Sequence, residues 1–460
     1  MRDRRSMRQY VPIGLVLIAF LIIGSLYAFF TPDWQAPDEP AHYNYIRQLA
    51  SGRLPIIEQG DYDQAYQNLV ISSQFDPQYP VVSFEYEDYQ PPLYYLLQTP
   101  IYLVTGGSLD WMRLFSVLLG AGVVLLSYLV VLALFPGRTW LALIAAIFVA
   151  FLPQHVAMMA AINNDALAEL LIAGILLLLL YIILSTPDGN GLDLDSFSSS
   201  ARWKWLLIGV LLGLGFLTKV TVYLLVPAIL LVQFWLYRGR RPLLIRGLML
   251  VFTPALVLGL IWWIRNIVVY DSLDPVGNLA HNTIVVGQPR TAEWLANSGT
   301  FVFLKGFIQT TFQSFWGQFG WMGVPMPTWV YIPLAVFTIL VGIGLIWHLF
   351  QTRDRVQNAG YESDASKPKR ASFVLLLGVF LLSAAAYIAY NVTFVQHQGR
   401  YLFPALIPIS LGVAVGIAAL MKPLTSRWPN AVYLLPLLFA VALIMLDLLA
   451  LFRFIVPSLT

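Results

Sequence analysis

The sequence contains no cysteine among its 460 residues and carries little charge. The absence of cysteine excludes disulfide bonds, thiol nucleophiles and metal sites with cysteine ligands. Only 11% of the residues are charged, whereas 58% are hydrophobic, which is more apolar surface than a soluble domain can bury. No basic patch with interleaved aromatic residues is present, which argues against a nucleic-acid partner. The composition therefore predicts an all-α polytopic membrane protein.

Apolar runs of about twenty residues predict about eleven transmembrane helices. The first run, Val11 to Phe30, is longer than a signal-peptide core and no cleavage site follows it, so we expect it to remain as an anchor. Residues 205–237 fit either one tilted helix or a hairpin hinged at Thr218-Lys219, and basic residues at both ends favour the hairpin. The other expected spans are residues 111–135, 139–160, 167–184, 243–264, 328–350, 372–391, 401–421 and 431–455.

Charge is distributed unequally between the two sides of this arrangement. Cytoplasmic segments, which include the polar loops 185–201 and 351–371, hold about two thirds of the 27 basic residues, and outer segments hold about two thirds of the 24 acidic residues. This bias predicts a multi-pass protein of the cell (plasma) membrane, with its N-terminus in the cytoplasm and its C-terminus outside. The N-terminal assignment depends on four arginines before the first span, Arg2, Arg4, Arg5 and Arg8.

Two long outer segments are expected, residues 31–110 and 265–327. In the first, Asp38 is the predicted N-cap of a helix that has Pro40 in its first turn and ends near Ala50. The apolar stretch from Leu93 to Thr105 is too short to span a bilayer, so we expect an interfacial or re-entrant segment.

The start of the first outer segment concentrates ionisable chemistry beside the membrane. Asp38 and Glu39 are adjacent carboxylates, and His42 shares a helical face with Asp38. One carboxylate of this pair could act as a general base and the other could bind a sugar or a metal ion. The alternative is structural, with Asp38 as a cap and Glu39 as a first-turn acid that interacts favourably with the helix dipole.

Further candidates lie at the predicted outer ends of other helices. Asn164 and Asp165 either cap the fourth span or face the same outer surface as Asp38. Tyr94 belongs either to an interfacial aromatic belt or to a stacking surface for substrate. Four outer basic residues run against the positive-inside trend and either extend to the headgroups or form a phosphate site: Arg113, Lys219, Arg265 and Arg400.

The ordered set of motifs resembles the GT-C membrane glycosyltransferases. The most similar branch contains the protein O-mannosyltransferases and the aminoarabinose transferases, with many bacterial members. The motifs cover nearly the whole chain and comprise Pro37-Asp38-Glu39-Pro40-Ala41-His42, Pro91-Pro92-Leu93-Tyr94-Tyr95, Arg113, Pro153-Gln154, Asn163-Asn164-Asp165, Gly213-Leu214-Gly215-Phe216-Leu217-Thr218-Lys219, Arg265-Asn266 and Gly399-Arg400-Tyr401-Leu402-Phe403-Pro404.

This resemblance implies one glycosyltransferase-like domain over residues 1–460, with juxtamembrane helices in the first outer loop. It implies transfer of a hexose or pentose, with inversion, from a polyprenyl-phosphate donor to a glycan, lipid or protein acceptor at the outer face of the membrane. The first-loop acid, Asp38 or Glu39, would be catalytic, and a divalent cation held by Glu39 and Asp165 is left open as a cofactor. The implied substrate-binding residues are His42, Tyr94, Arg113, Asn164, Asp165, Lys219, Arg265 and Arg400.

A transporter or lipid flippase for cell-envelope glycan precursors is the alternative function. Such a protein would need buried charges along a path through the bilayer. Only Glu169 and Asp447 interrupt the predicted spans, whereas the other candidate charges cluster on the outer side. The pattern therefore favours chemistry at the outer face.

Overall fold

The computed structural model describes residues 11–185, 199–358 and 367–460 and shows a helical bundle. The four N-terminal arginines, residues 186–198 of the first predicted cytoplasmic loop and residues 359–366 of the second lie outside these residues. The helices of the first half are α1 (Val11–Phe30), α2 (Glu39–Ala50), α3 (Gln64–Ser72), α4 (Leu93–Thr105), α5 (Leu109–Leu134), α6 (Thr139–Ala150), α7 (Pro153–Met159), α8 (Asp165–Leu184) and α9 (Ser199–Phe216).

The second half contains longer and more exposed helices. This half also contains a small two-stranded antiparallel sheet, β1 (Gln318–Phe319) and β2 (Val324–Pro325). Short 3-10 turns at Val220–Leu224 and Gly399–Ala405 precede two of the helices. These helices are α10 (Leu225–Tyr237), α11 (Arg241–Val269), α12 (Asn278–Ile284), α13 (Thr291–Trp316), α14 (Thr328–Asn358), α15 (Lys367–Thr393), α16 (Leu406–Arg427), α17 (Ala431–Leu449) and α18 (Val456–Leu459).

The predicted fold class is confirmed, because the described residues form an all-α bundle of membrane-spanning helices. Within them, nine helical segments are long and apolar enough to cross a membrane, and a tenth span arises if α6 and α7, bent by 63°, count as one. The remaining predicted span corresponds to α9. Its first turns carry Arg202 and Lys204, which shorten its uninterrupted apolar stretch.

Residues 205–237 form the predicted hairpin. Helix α9 ends at Phe216, and the chain resumes as a 3-10 turn from Val220. The indole N–H of Trp205, near the start of α9, donates a hydrogen bond of 2.9 Å to the hydroxyl of Tyr237, the last residue of α10. Because the two far ends meet, the chain must reverse at the break, and this break contains Lys219.

The core is formed by α5, α6 and α8, and peripheral helices surround them. In α8, 72% of the most apolar stretch is buried, compared with 22% in α11 and in α14. The exposed faces of the peripheral helices are apolar, as expected for surfaces in contact with lipid tails. Helix α9 packs against α11 at Gly209, where an added Cβ would collide with the carbonyl oxygen of Val251.

The long connecting segments pack together at one end of the bundle. The first of them carries α2, α3 and α4, so the expectation of juxtamembrane helices there is confirmed. Helix α2 has the predicted bounds, ending at Ala50 with Ser51 as its C-cap. The second long segment, residues 265–327, is partly helical as well, because α13 occupies 26 of these residues, with a kink at Gly299.

Candidate active site

Asp38 has an unusual backbone conformation at the start of α2. Its φ of 68° lies in the left-handed region, which costs free energy for a residue with a side chain, and its carboxylate makes no capping hydrogen bond. Asp38 therefore occupies the predicted N-cap position of α2, but its side chain does not cap the helix. Its carboxylate instead accepts hydrogen bonds from Arg400 Nη2 at 3.1 Å and from the Tyr86 hydroxyl at 3.0 Å.

A second charged pair lies beside the first. Lys219 Nζ contacts Asp165 Oδ1 at 2.7 Å. The side chains of Asp38 and Asp165 are each 29% exposed, so both carboxylates remain accessible to a substrate. We call these four residues, Asp38, Asp165, Lys219 and Arg400, the charged cluster.

His42 lies against the charged cluster. Burial lowers the pKa of His42 to about 3, and the charges of the four cluster residues also act on this pKa, in opposing directions. The imidazole is therefore neutral at physiological pH, and its Nδ1 is hydrogen-bonded to the Tyr95 hydroxyl at 2.9 Å. The structure thus brings five of the predicted site residues together from α2, α8, the hairpin break and the turn that follows α15.

Gly399 allows Arg400 to reach this position. A Cβ at residue 399 would collide with the backbone of α13 at Thr311 and Phe315, so only glycine permits this close approach. The guanidinium is then oriented by Gln398, whose Oε1 accepts a hydrogen bond of 2.7 Å from Arg400 Nε.

Glu39 occupies a different environment from Asp38. It is fully buried, and Arg113 donates to both of its carboxylate oxygens at 2.8 and 2.6 Å. The backbone N–H of Ile162 also donates to Glu39, while Arg113 donates to the carbonyls of Ala28 and Thr31. The predicted catalytic or metal-binding role of Glu39 and the substrate-binding role of Arg113 do not fit this geometry, because each satisfies the other away from solvent.

Tyr94 and Asn164 lie behind the charged cluster. The Tyr94 hydroxyl accepts a hydrogen bond from the backbone N–H of Asn163 and pairs with Ser116, so this buried side chain serves the fold. The amide of Asn164 donates long hydrogen bonds to Gln90, Tyr95 and the carbonyl of Thr218, and its buried Oδ1 has no partner among the described residues.

Arg265 does not join the charged cluster. Its guanidinium donates to the carbonyl of Pro55 and to the Asn266 side chain, and it stacks over the Trp262 ring at 4.6 Å. The role of Arg265 in a phosphate site stays a prediction, and none of these contacts is with a residue of the charged cluster. It connects the end of α11 to the first long segment.

Glu87 is a candidate that the sequence did not single out. The pKa of Glu87 is raised to about 8, chiefly by burial and also by the negative charge of Asp38, whereas Lys219 opposes the rise. Its buried Oε2 has no hydrogen-bond partner among the described residues. Glu87 lies in a turn among several other acids, and no local spacing distinguishes it from them.

A metal ion has no evident set of ligands among the residues that the structure describes. No three His, Asp or Glu side chains are grouped there so as to hold one. The two suggested ligands are each paired with a different cationic side chain, Glu39 with Arg113 and Asp165 with Lys219.

Two acids lie inside the spans. Glu169 Oε2 lies 3.2 Å from His155 Nε2, and the other nitrogen of His155 contacts the carbonyl of Val149. Asp447 is fully buried, and neither carboxylate oxygen has a hydrogen-bond partner among the described residues.

Residues 76–409 match the family described as "Predicted membrane protein (DUF2142)". No protein of curated function matches the sequence. The fold is similar to that of ArnT from Cupriavidus metallidurans, solved in the apo state and bound to undecaprenyl phosphate, with 16% identity and a TM-score of 0.52 over 97% of this chain and 73% of that one.

A second similar structure is the archaeal oligosaccharyltransferase AglB from Archaeoglobus fulgidus, solved with an inhibitory peptide and a dolichol-phosphate. It is 14% identical, with a TM-score of 0.53 over 97% of this chain and 55% of that one, so this chain spans about half its length. ArnT and AglB are GT-C glycosyltransferases, and the GT-C-like fold implied by the sequence motifs is therefore confirmed.

Proposed function

The chain belongs to the DUF2142 family of predicted membrane proteins, and from that premise we propose that it is a membrane glycosyltransferase. It would transfer a sugar from a polyprenyl-phosphate donor to an acceptor at the outer face of the membrane. The bound polyprenyl phosphates of ArnT and AglB, two proteins of similar fold, support this class of donor.

One observation carries the proposal. A partly exposed carboxylate, Asp38, is held in a left-handed backbone conformation and pairs with Arg400, while the second basic residue, Lys219, lies in the same charged cluster around His42. Such backbone strain persists only where the surroundings enforce it, and it is concentrated at functional sites. An accessible base beside two cations is what sugar transfer from a phosphate requires.

The basic side chains can stabilise the leaving group. Lys219 has three N–H donors, of which Asp165 takes one, and Arg400 has five in a planar fork. Donors therefore remain for phosphate oxygens after the observed contacts with Asp38, Gln398 and Met158. Preorganised cations at the position where negative charge develops lower the barrier to departure of the phosphate.

The reaction then proceeds as a single displacement. The acceptor hydroxyl oxygen attacks the anomeric carbon, and the bond from that carbon to the phosphate oxygen breaks with its electron pair on the phosphate. The proton of the hydroxyl goes to the carboxylate of Asp38, which acts as general base. Attack from the face opposite the phosphate inverts the anomeric configuration.

Glu87 and His42 would complete the substrate site. A carboxyl with a pKa of about 8 is protonated at neutral pH, so Glu87 can donate a hydrogen bond to a sugar hydroxyl or to the phosphate. The neutral imidazole of His42 adds no positive charge and can make one further polar contact. In contrast, Glu39 and Arg113 act as positioning residues that hold Asp38 in place.

We further propose one domain over residues 1–460, in which residues 31–110 and 265–327 lie outside the cell. This orientation places the charged cluster at the outer end of the bundle, the N-terminus in the cytoplasm and the C-terminus outside. The sugar would be a hexose or a pentose, and the acceptor a glycan, lipid or protein of the cell envelope.

The test is a transfer assay in proteoliposomes. Wild-type protein is mixed with undecaprenyl phosphates carrying a pentose or a hexose and with an envelope lipid and glycan extract, and mass spectrometry follows free undecaprenyl phosphate and sugar-labelled acceptor. We expect both products for at least one donor, and their loss in Asp38→Asn but not in Asp33→Asn, a change at an exposed residue of the same loop. Movement of the intact donor across the bilayer without either product would instead indicate the flippase function.

A further inference from the structure

A second polar site lies at the opposite end of the bundle from the charged cluster. Helix α5 carries Arg113 near its first residue, Leu109, and ends at Leu134, so its 26 residues span about 39 Å. Helices α6 and α16 run between the same two ends. Helix α6 leads back to α7, whose Met158 contacts Arg400 of the charged cluster, and α16 starts just after Arg400 and ends at Arg427. A cavity of about 320 Å³ opens at this far end, between α6, α14, α16 and the turn after α5.

The cavity combines basic side chains with aromatic walls. Its lining includes Arg138, His348 and Lys422, together with Phe135, Trp140 and Trp347. Lys369 adds a further cation at its edge, with Nζ 4.4 Å from the centre of the Phe135 ring, and Arg138 Cζ lies 5.9 Å from the same centre.

Three of these side chains, Arg138, Lys369 and Lys422, are not neutralised within the part of the chain that the structure describes. No carboxylate there forms an ion pair with Arg138, Lys369 or Lys422, and Lys422 contacts only the neutral Gln351 side chain, at 3.4 Å. Two cations that share one aromatic ring repel each other, so an anion placed between them is favoured.

The surroundings indicate that the anion is carried by a lipid. The Trp347 side chain is 61% exposed, and three apolar side chains near it on α14, Ile346, Leu349 and Phe350, are also exposed. Tryptophan beside an exposed apolar helix face at the end of a span is typical of the membrane interface. A soluble anion would not need such a surface, whereas a phospholipid places its chains on it and its phosphate in the cavity.

We propose that this cavity binds the phosphate headgroup of an anionic phospholipid. Arg138 forms the bidentate contact that its planar fork allows, and Lys422 and Lys369 supply point charges. The aromatic side chains hold the glycerol region at the depth of the interface. In the proposed orientation this lipid belongs to the cytoplasmic leaflet, and the site is independent of the sugar-transfer chemistry.

Native mass spectrometry of the full-length protein in detergent tests the proposal. Phosphatidylglycerol and phosphatidylcholine are titrated onto the wild type and onto the double variant Arg138→Gln/Lys422→Gln. We expect the wild type to prefer phosphatidylglycerol, and the double variant to bind it at least about tenfold more weakly with unchanged phosphatidylcholine binding. Equal phosphatidylglycerol affinity in the two proteins would overturn the proposal.

A matched control removes the same charge at the same end of the bundle. Arg241 and Arg246 are exposed at the start of α11, outside the cavity, and Arg241→Gln/Arg246→Gln should bind phosphatidylglycerol as the wild type does. An equal loss in this control would mean nonspecific charge attraction. If inorganic phosphate at millimolar concentration displaced the lipid, the ligand would be a soluble phosphate and the lipid assignment would be wrong.

A third variant separates a loss of binding from a loss of folding. Arg138→Lys/Lys422→Arg preserves both charges and should keep the preference for phosphatidylglycerol, because the cavity retains its cations. Loss of that preference in the charge-preserving variant, with an unchanged melting temperature, would contradict an electrostatic headgroup site.

Discussion

The guanidinium of Arg113 donates to both carboxylate oxygens of Glu39, with Nε–Oε1 and Nη2–Oε2 distances of 2.8 and 2.6 Å. The same pair contacts the end of α1 through Ala28 and the turn before α8 through Ile162. Asp38 precedes Glu39 in the chain, so this buried pair fixes the backbone from which the proposed base projects. A structural acid and an accessible acid thus occupy adjacent positions.

Removing one member of the Glu39–Arg113 pair should destabilise the protein strongly. Glu39→Gln and Arg113→Gln each leave a buried polar or charged group without its partner, and we expect a loss of about 3–5 kcal/mol, seen as a large drop in Tm in detergent. The partly exposed pair Arg47–Glu85 provides the control, because Arg47→Gln should cost less than about 1 kcal/mol. Similar small effects in all three variants would contradict the structural role.

The phosphate site should depend on Lys219 and Arg400 and not on Arg265. Loss of one charge-assisted contact in Lys219→Gln or Arg400→Gln should weaken binding of undecaprenyl phosphate roughly ten- to hundredfold. Arg265→Gln removes an equal charge from a residue that faces Pro55 and should leave the Kd nearly unchanged. Calorimetric titration of the three variants measures the difference, and a stronger effect at Arg265 would refute the assignment of the phosphate site.

Glu87 should make stability depend on pH in a defined direction. Its pKa rises from 4.5 to about 8 on folding, chiefly through burial, so between these values the unfolded chain has lost a proton that the folded chain retains. The folding stability that protonated Glu87 contributes is therefore fully present below pH 4.5 and is lost as the pH rises through about 8. We expect the Tm of the wild type to fall relative to that of Glu87→Gln over this range. A constant difference between the two curves would be inconsistent with a buried protonated carboxyl.

Gly399 should be irreplaceable even by alanine. The added methyl group would push the segment 399–405 away from α13 and displace Arg400, so Gly399→Ala should weaken undecaprenyl phosphate binding about tenfold. Gly378 on α15 has open space around it, and Gly378→Ala should leave binding unchanged and raise helix stability slightly. Equal binding by both variants would show that the close approach at Gly399 is dispensable.

Local sequence signals predicted many of the elements that form the site. Pro40 and Ser51-Gly52 delimit α2 correctly, and the basic residues on both sides of 205–237 identified the hairpin. These features depend on nearby residues or on which side of the membrane a charge prefers.

Long-range pairing could not be predicted in the same way. Glu39 and Arg113 are separated by 74 positions, and nothing in either motif assigns them to each other. The left-handed conformation of Asp38 depends on the packing around it, and in this conformation the side chain does not make the expected capping hydrogen bond. Helix α13 was missed because its polar residues and Gly299 interrupt the apolar pattern.

The central claim is that Asp38 removes the proton of the acceptor hydroxyl, and a single-turnover assay tests it most directly. Protein is preloaded with the undecaprenyl-phosphate sugar that supports transfer, acceptor is added, and rapid quenching yields the rate of the chemical step separately from donor binding. We predict that Asp38→Asn binds the donor with nearly wild-type affinity but transfers the sugar about 10²–10⁴-fold more slowly. Transfer by Asp38→Asn at the rate of the wild type would contradict the account.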